Sequence, residues 1–324
     1  MDIQTDIIRL LDDIVSKIKR TDLTKYTGSI IISGSFGRNE PTYHIEEGKI
    51  VYDSDMEMVL AYRNWRDMIF IKQHSAEVIK CFPEIKLELL PISAGRLKNT
   101  RNHNYSLLSS KKKTLFTFDF YNGSRTIWGT EYLNSQVSIN DVDSFEGKRI
   151  IANRVAELTY VRQHHSSAEE ENRWLAKIIL AVGTAFLIEK REYKSSYHEQ
   201  QLKIKANQSI RSIFDDNFLP LYTSAFKYLR EGEGSVRFGD YEKNIKKYVT
   251  VAYDYYKDKD IHKSNTNCAY ITIREAMLLL KYDIRYYRYI LNPKELILDN
   301  VLLSYINNSD DIVQWAEMWH KILN

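Results

Sequence analysis

Ser29-Ile30-Ile31-Ile32-Ser33-Gly34-Ser35-Phe36-Gly37-Arg38, followed by Asp53-Ser54-Asp55-Met56-Glu57-Met58, decides how this chain is read. Three consecutive isoleucines between small residues predict a buried strand over Ser29 to Ser33. The glycines and serine after it predict a tight turn at Gly34 to Arg38. A second strand is expected from Asp53 to Ala61. Alternate side chains of a strand share a face, so Asp55 and Glu57 should point one way while Met56 and Met58 enter the core. Between the two, Tyr43 to Tyr52 reads as a hairpin around Glu47-Gly48-Lys49.

Outward from this stretch, Asp2 to Lys19 carries Ile3, Ile7, Leu10, Leu11, Ile14 and Ile18 at helical spacing. Trp65 to Cys81 predicts a helix closed by Pro83. Ile85 to Ile92 predicts a strand on which Ile85, Leu87 and Leu89 oppose Lys86, Glu88 and Leu90. Leu115 to Phe120 and Arg125 to Trp128 read as a hairpin across Asn122-Gly123. Past about residue 145 strand signals fade. Helices are expected at Lys148 to His164, from a capping box at Ser166 or Ser167 through Glu189, and at Leu219–Arg230, Tyr241–Tyr256, Thr272–Leu291 and Asp310–Leu323. The expected fold is therefore an α/β (α+β) catalytic domain with a small mixed sheet over residues 1–145, then an all-α domain over 146–324.

Composition agrees with a folded chain that buries a sizeable core. It has 324 residues, 44% hydrophobic and 27% charged, with 5 prolines and 12 glycines. The net charge of +3 is too small to demand a nucleic-acid partner. Cys81 and Cys268 sit in apolar surroundings and are expected to be reduced core residues. The longest apolar run, Ile178 to Ile188, is too short to span a hydrocarbon layer of ~30 Å. No basic leader opens the chain, so a soluble cytoplasmic protein is expected.

The chemistry lies in the carboxylates. Two side by side repel each other unless a cation neutralises them. Mg²⁺ prefers carboxylate, phosphate and water oxygens. Two such ions ~3.5–4 Å apart clamp the attacking and leaving oxygens of a phosphoryl displacement. Glu88, on the next strand, has the facing for a third ligand or a general base. Gly34 and Ser35 would let the backbone approach a phosphate chain, and Arg38 would offset its charge.

In order, these pieces resemble the signature of the DNA polymerase β-like nucleotidyltransferase superfamily: a hydrophobic strand, Gly-Ser, a gap, an acid-x-acid strand and a later third acid. Residues 36–54 make a longer gap than small members of that family have; the Tyr43–Tyr52 hairpin accounts for it. The helical second half is similar to that of antibiotic nucleotidyltransferases. The resemblance implies transfer of a nucleoside monophosphate from a nucleoside triphosphate, ATP by preference, to an acceptor hydroxyl, with pyrophosphate released. It implies Mg²⁺ or Mn²⁺ on Asp55, Glu57 and Glu88, with triphosphate on Gly34, Ser35, Arg38 and Lys177. A small-molecule or glycan-type acceptor is expected. Alternatives are a protein or tRNA acceptor, second-messenger synthesis in a toxin or defence system, and a nucleotide-binding module without turnover.

Plainer readings compete. Glu88 could pair with Lys86 on a solvent face, leaving Asp119, on the run Phe116 to Phe120, as the third acid. Arg38 could bridge to Glu40 or Glu46. Lys177 could snorkel out of an apolar helix. Tyr193 to Tyr197 could stack on a base or hold phosphate, or be a loop that ends a helix. Tyr282, Arg285, Tyr286 and Arg288 interleave rings and bases, but a helical apolar stripe at Ile273, Met277, Leu280, Ile284 and Leu291 favours packing.

Overall fold

The computed structural model describes residues 3–47, 49–98, 113–133, 136–164, 167–231, 236–263 and 293–323. Cys268 and the expected helix at Thr272–Leu291 lie outside them. The chain is a mixed α/β protein with a small four-stranded mixed sheet and many helices. Helix α1 (Ile3–Arg20) and a short α2 (Leu23–Tyr26) lead into β1 (Thr27–Ile32). The one-turn helix α3 (Gly34–Gly37) replaces the expected turn. A two-stranded hairpin follows, β2 (Tyr43–Glu46) and β3 (Lys49–Tyr52). Then come β4 (Met56–Tyr62), α4 (Trp65–Ile79) and β5 (Leu87–Ser93).

Helix α5 (Ala94–Lys98), α6 (Leu115–Gly123) and β6 (Arg125–Gly129) complete this half. The sheet order is β5-β4-β1-β6; β4 and β5 are parallel, while β1 runs antiparallel to both β4 and β6. Helix α4 is the crossover that a parallel pair requires. Asn64 caps it by accepting from the Arg66 and Asp67 amides.

One expected element is corrected. Leu115 to Phe120 is helix, not the first arm of a hairpin, and β6 pairs with β1 instead. Thr114 Oγ1 caps the helix by accepting from the Thr117 amide at 3.1 Å. Leu115, Thr117, Phe118, Phe120 and Tyr121 are all buried, so the helix is covered on several sides. A short run that is apolar all round shows no period to separate helix from strand. Asp119 accordingly lies on a helix.

The second half begins with α7 (Phe145–Gln163) and α8 (Ala168–Glu189). Ser167 Oγ accepts from the Glu170 amide, as the capping pattern predicts. Helices α9 (Tyr197–Ala206), α10 (Gln208–Ile213), α11 (Phe218–Phe226), α12 (Glu242–Lys263), α13 (Pro293–Asn307) and α14 (Ile312–Leu323) follow. A π-helical turn, Lys227–Glu231, extends α11. Helices α9, α10 and α13 have no counterpart in the expected set.

The pleat sorts the sheet into two faces. Ile30, Ile32, Met56, Met58 and Leu60 pack with Ile7, Leu11, Ile14, Ile18, Ile71 and Val78 of α1 and α4. The methionines therefore enter the core as expected. The opposite face, with Ile31, Val59 and Ala61, packs with Val155, Ala185, Leu187 and Trp319 of the helical half. This second apolar cluster runs without a break across residue 145. Cys81 corrects another expectation: it is exposed and free, two residues past the end of α4, with its Sγ–H donating to the Glu77 carbonyl and its amide to that of Val78. Among the described residues no helix is long and apolar enough to cross a membrane.

Candidate active site

Glu57 shares its strand face with Val59 and Ala61, so it looks toward the helical half. In the parallel β4–β5 pair its register partner is Glu88. Leu90 and Ile92 continue Glu88's face and pack against the cluster that bridges both halves. Glu88 itself is exposed. Asp55 lies one residue before β4 begins, later than expected, with its side chain 53% exposed. Lys86 Nζ stands 3.7 Å from Asp55 Oδ1. The lysine thus goes to Asp55, not to Glu88 as the plainer reading of that strand had it.

Glu57 is the best-held of the three. The Ser33 hydroxyl donates to its Oε2 at 3.2 Å. Gly34 follows at φ 63°, and a Cβ there would meet Glu57 Oε2 at 3.3 Å. A side chain at position 34 would face both left-handed strain and crowding of the carboxylate. Burial raises the Glu57 carboxyl above its ordinary range; Ser33 lowers it, Glu88 raises it, Arg38 lowers it and Asp55 raises it. Carboxylates that push each other up in this way are a donor set a divalent cation would relieve. The hard oxygens suit Mg²⁺ or Mn²⁺. Among the described residues, though, no three acidic, His or Cys side chains are already gathered tightly enough to hold a metal ion. Ligation would require Asp55 and Glu88, both exposed, to swing toward Glu57.

Arg38 follows α3, and its stem lies on Gly123, where a Cβ would stand 3.0 Å from the arginine's Cγ. Its side chain is only 8% exposed. Nε forms an ion pair with Glu40 Oε2 at 3.8 Å, as the plainer reading had it, too long for a hydrogen bond, and Nε has no hydrogen-bond partner among the described residues. Glu40 also accepts from the Ser196 hydroxyl at 2.7 Å and from the Tyr197 amide at 2.9 Å. The acid after the first strand therefore caps α9 from the other half of the chain.

Asp119 sits behind Arg38 and accepts from the Tyr193 hydroxyl at 2.9 and 3.0 Å to its two oxygens. Burial pushes its carboxyl up to about 7, against the pull of Arg38 and Tyr193. The segment Tyr193 to Tyr197 does follow a helix end, and it also reaches into the site through Tyr193, Ser196 and Tyr197.

Lys177 lies on α8 with Nζ 3.8 Å from the Trp174 ring centre. Burial lowers its pKa to about 8, helped by Arg154, Arg173 and Arg230 and opposed by Glu157. It is among other cations, not extended to open solvent. The Arg230 guanidinium lies 3.4 Å from the Tyr197 ring centre and that of Arg38 4.5 Å. Nothing in the sequence points to Arg230 or Arg154. The pattern Ser196-x-x-Glu199 is the one local signal that points to the start of α9, and the Glu199 amide does donate to Ser196 Oγ.

Two shallow depressions lie elsewhere. One of about 220 Å³ is lined by Ile210, Asp215, Asp216, Leu219 and Pro220; another of about 180 Å³ lies along α1, reaching Arg125 and Ile127. Neither holds one of the strand carboxylates. No protein-family model matches the chain, and no curated protein matches it.

Proposed function

We propose that this chain transfers a nucleoside monophosphate from a nucleoside triphosphate, ATP by preference, to an acceptor hydroxyl, with the cluster around Glu57 as its centre. The observation that carries the reading is the register Glu57↔Glu88 with Asp55 two residues before, set against Ser33 and Gly34. Three carboxylates gathered at the start of two neighbouring strands, one of them partly desolvated, are a donor set that a divalent cation would neutralise.

Asp55, Glu57 and Glu88 would hold Mg²⁺ or Mn²⁺. When bound, such ions neutralise charge on the phosphate oxygens and on the leaving pyrophosphate. Gly34 and Ser35 border the phosphate chain. Arg38, held over the site by Gly123 and Tyr197, and Lys177, from the helical half, supply fixed positive charge. The acceptor oxygen forms a bond to the α-phosphorus while the bond from that phosphorus to the bridging oxygen breaks. The acceptor proton passes to Glu88, which is exposed on β5.

The test is release of pyrophosphate and metal-dependent binding for each nucleoside triphosphate, in wild type and in Asp55→Asn/Glu57→Gln. The expected result is Mg²⁺- or Mn²⁺-dependent binding that the double substitution abolishes while the melting temperature is kept. Binding that survives the double substitution, or no metal-dependent binding of any nucleotide by wild type, refutes the assignment.

A further inference from the structure

Four basic side chains gather where the helical half meets Thr42 and Asp53 of the sheet half. Arg154 (α7) and Lys177 (α8) both lie against the Trp174 ring, at 5.7 and 3.8 Å from its centre. Arg230, from the π-helical turn, lies 3.4 Å from the Tyr197 ring centre, and it reaches the sheet side by donating to Thr42 Oγ1 at 3.4 Å. Arg173, one residue before Trp174, stands 3.7 Å from Asp53. All four are partly exposed, so a solute can reach them.

Positive charge is in surplus here. Arg230 Nε is buried with no hydrogen-bond partner among the described residues. Burial lowers the Arg154 pKa, with Tyr197 and Glu157 opposing and Arg230 and Arg149 adding to the fall. Burial would raise the Tyr197 phenol, yet Arg230, Arg38 and Arg154 bring it below its usual value. Like charges gathered, half-buried, against aromatic faces cost stability unless a counter-ion joins them. Three planar guanidinium forks, those of Arg154, Arg173 and Arg230, are a donor set suited to a phosphate dianion.

A nucleotide with two divalent ions beside three carboxylates does not need so much charge. Arg38 and Lys177 suffice to face its phosphates. We propose that Arg154, Arg173 and Arg230 form a second anion seat beside them, and that the acceptor is a small molecule carrying its own phosphate group. The acceptor half of this statement rests on the transferase reading; the seat itself does not. A polycationic acceptor, such as an aminoglycoside, is disfavoured by the same charges.

The experiment titrates inorganic phosphate into the full-length protein by calorimetry, with and without Mg²⁺ and a non-hydrolysable α,β-methylene ATP analogue. Wild type is compared with Arg230→Gln and Arg173→Gln. Should Arg230→Gln fail to fold, Arg154→Gln replaces it; removing that half-buried charge is expected to raise the melting temperature in the absence of anions. The expected result is phosphate binding that persists with the analogue bound and weakens at least tenfold in the variants, while analogue binding changes less than threefold. Phosphate and analogue that exclude each other would make the cluster the nucleotide's own tail seat and overturn the proposal. Phosphate binding unchanged in every variant, or none in wild type, would overturn it as well. If the analogue never binds but phosphate does, and the variants lose it, the seat stands and its link to an acceptor falls.

Discussion

Replacing Asp119 by Asn should stabilise this protein at neutral pH and do nothing at acid pH. Asp119 is enclosed by α6, Tyr193 and Arg38, with Glu146 and Glu57 adding negative potential. Its carboxyl is raised from 3.8 to about 7. In the folded state it therefore binds a proton between those values while the unfolded chain does not, so stability falls as pH rises through that window. About three pH units at ~1.4 kcal/mol each give a ceiling of about 4 kcal/mol at pH 8. Asp119 keeps a narrow path to solvent, so the realised gain lies below that ceiling.

Asparagine keeps the shape and still accepts from the Tyr193 hydroxyl. For a chain of this length, 1 kcal/mol corresponds to roughly 1–2 °C, so a gain of about 3–6 °C is expected at pH 8 and about none at pH 4. The assay is thermal unfolding of wild type and Asp119→Asn from pH 4 to pH 8. A difference that does not vary with pH, or a loss of stability at pH 8, would show that Asp119 is charged in the fold and that Arg38 holds it so.

Two further outcomes test the geometry. Glu40→Ala removes the acceptor that the Ser196 hydroxyl and the Tyr197 amide share; a loss of about 1–2 kcal/mol is expected, with faster amide exchange at Tyr197 and His198, and unchanged exchange there would refute the capping role. Gly34→Ala places a Cβ at φ 63° and 3.3 Å from Glu57 Oε2; a cost of ~1–2 kcal/mol and weaker metal-dependent nucleotide binding are expected, and a variant that melts and binds like wild type would remove Gly34 from the site.

Much of the sheet could be read from sequence because its signals are local. Ile30 to Ile32, Met56 to Met58 and Leu87 to Leu89 each carry their facing in a few residues, and the carboxylates inherit theirs from the same alternation. The register Glu57↔Glu88 follows once two strands lie side by side, but only the fold says that they do. The helix at Leu115–Gly123 escaped because burial on several sides erases periodicity. Arg230 and Arg154 escape for another reason. Nothing near them in sequence marks them; they matter because tertiary packing brings them to Arg38 and Tyr197. Cys81 was misjudged because apolar neighbours along the chain do not enclose a residue just past a helix end.

The apolar cluster that joins Ile31, Val59 and Ala61 to Val155, Ala185 and Trp319 bears on how such a protein could be altered. A fragment cut at residue 145 would expose the very sheet face on which Glu57 lies, and would be sticky before it was active. The two halves are not interchangeable cassettes. Under the proposed transfer reaction, acceptor choice would drift by exchanging single side chains on α7 and α8, whereas grafting a foreign helical half would require rebuilding the seam beneath it.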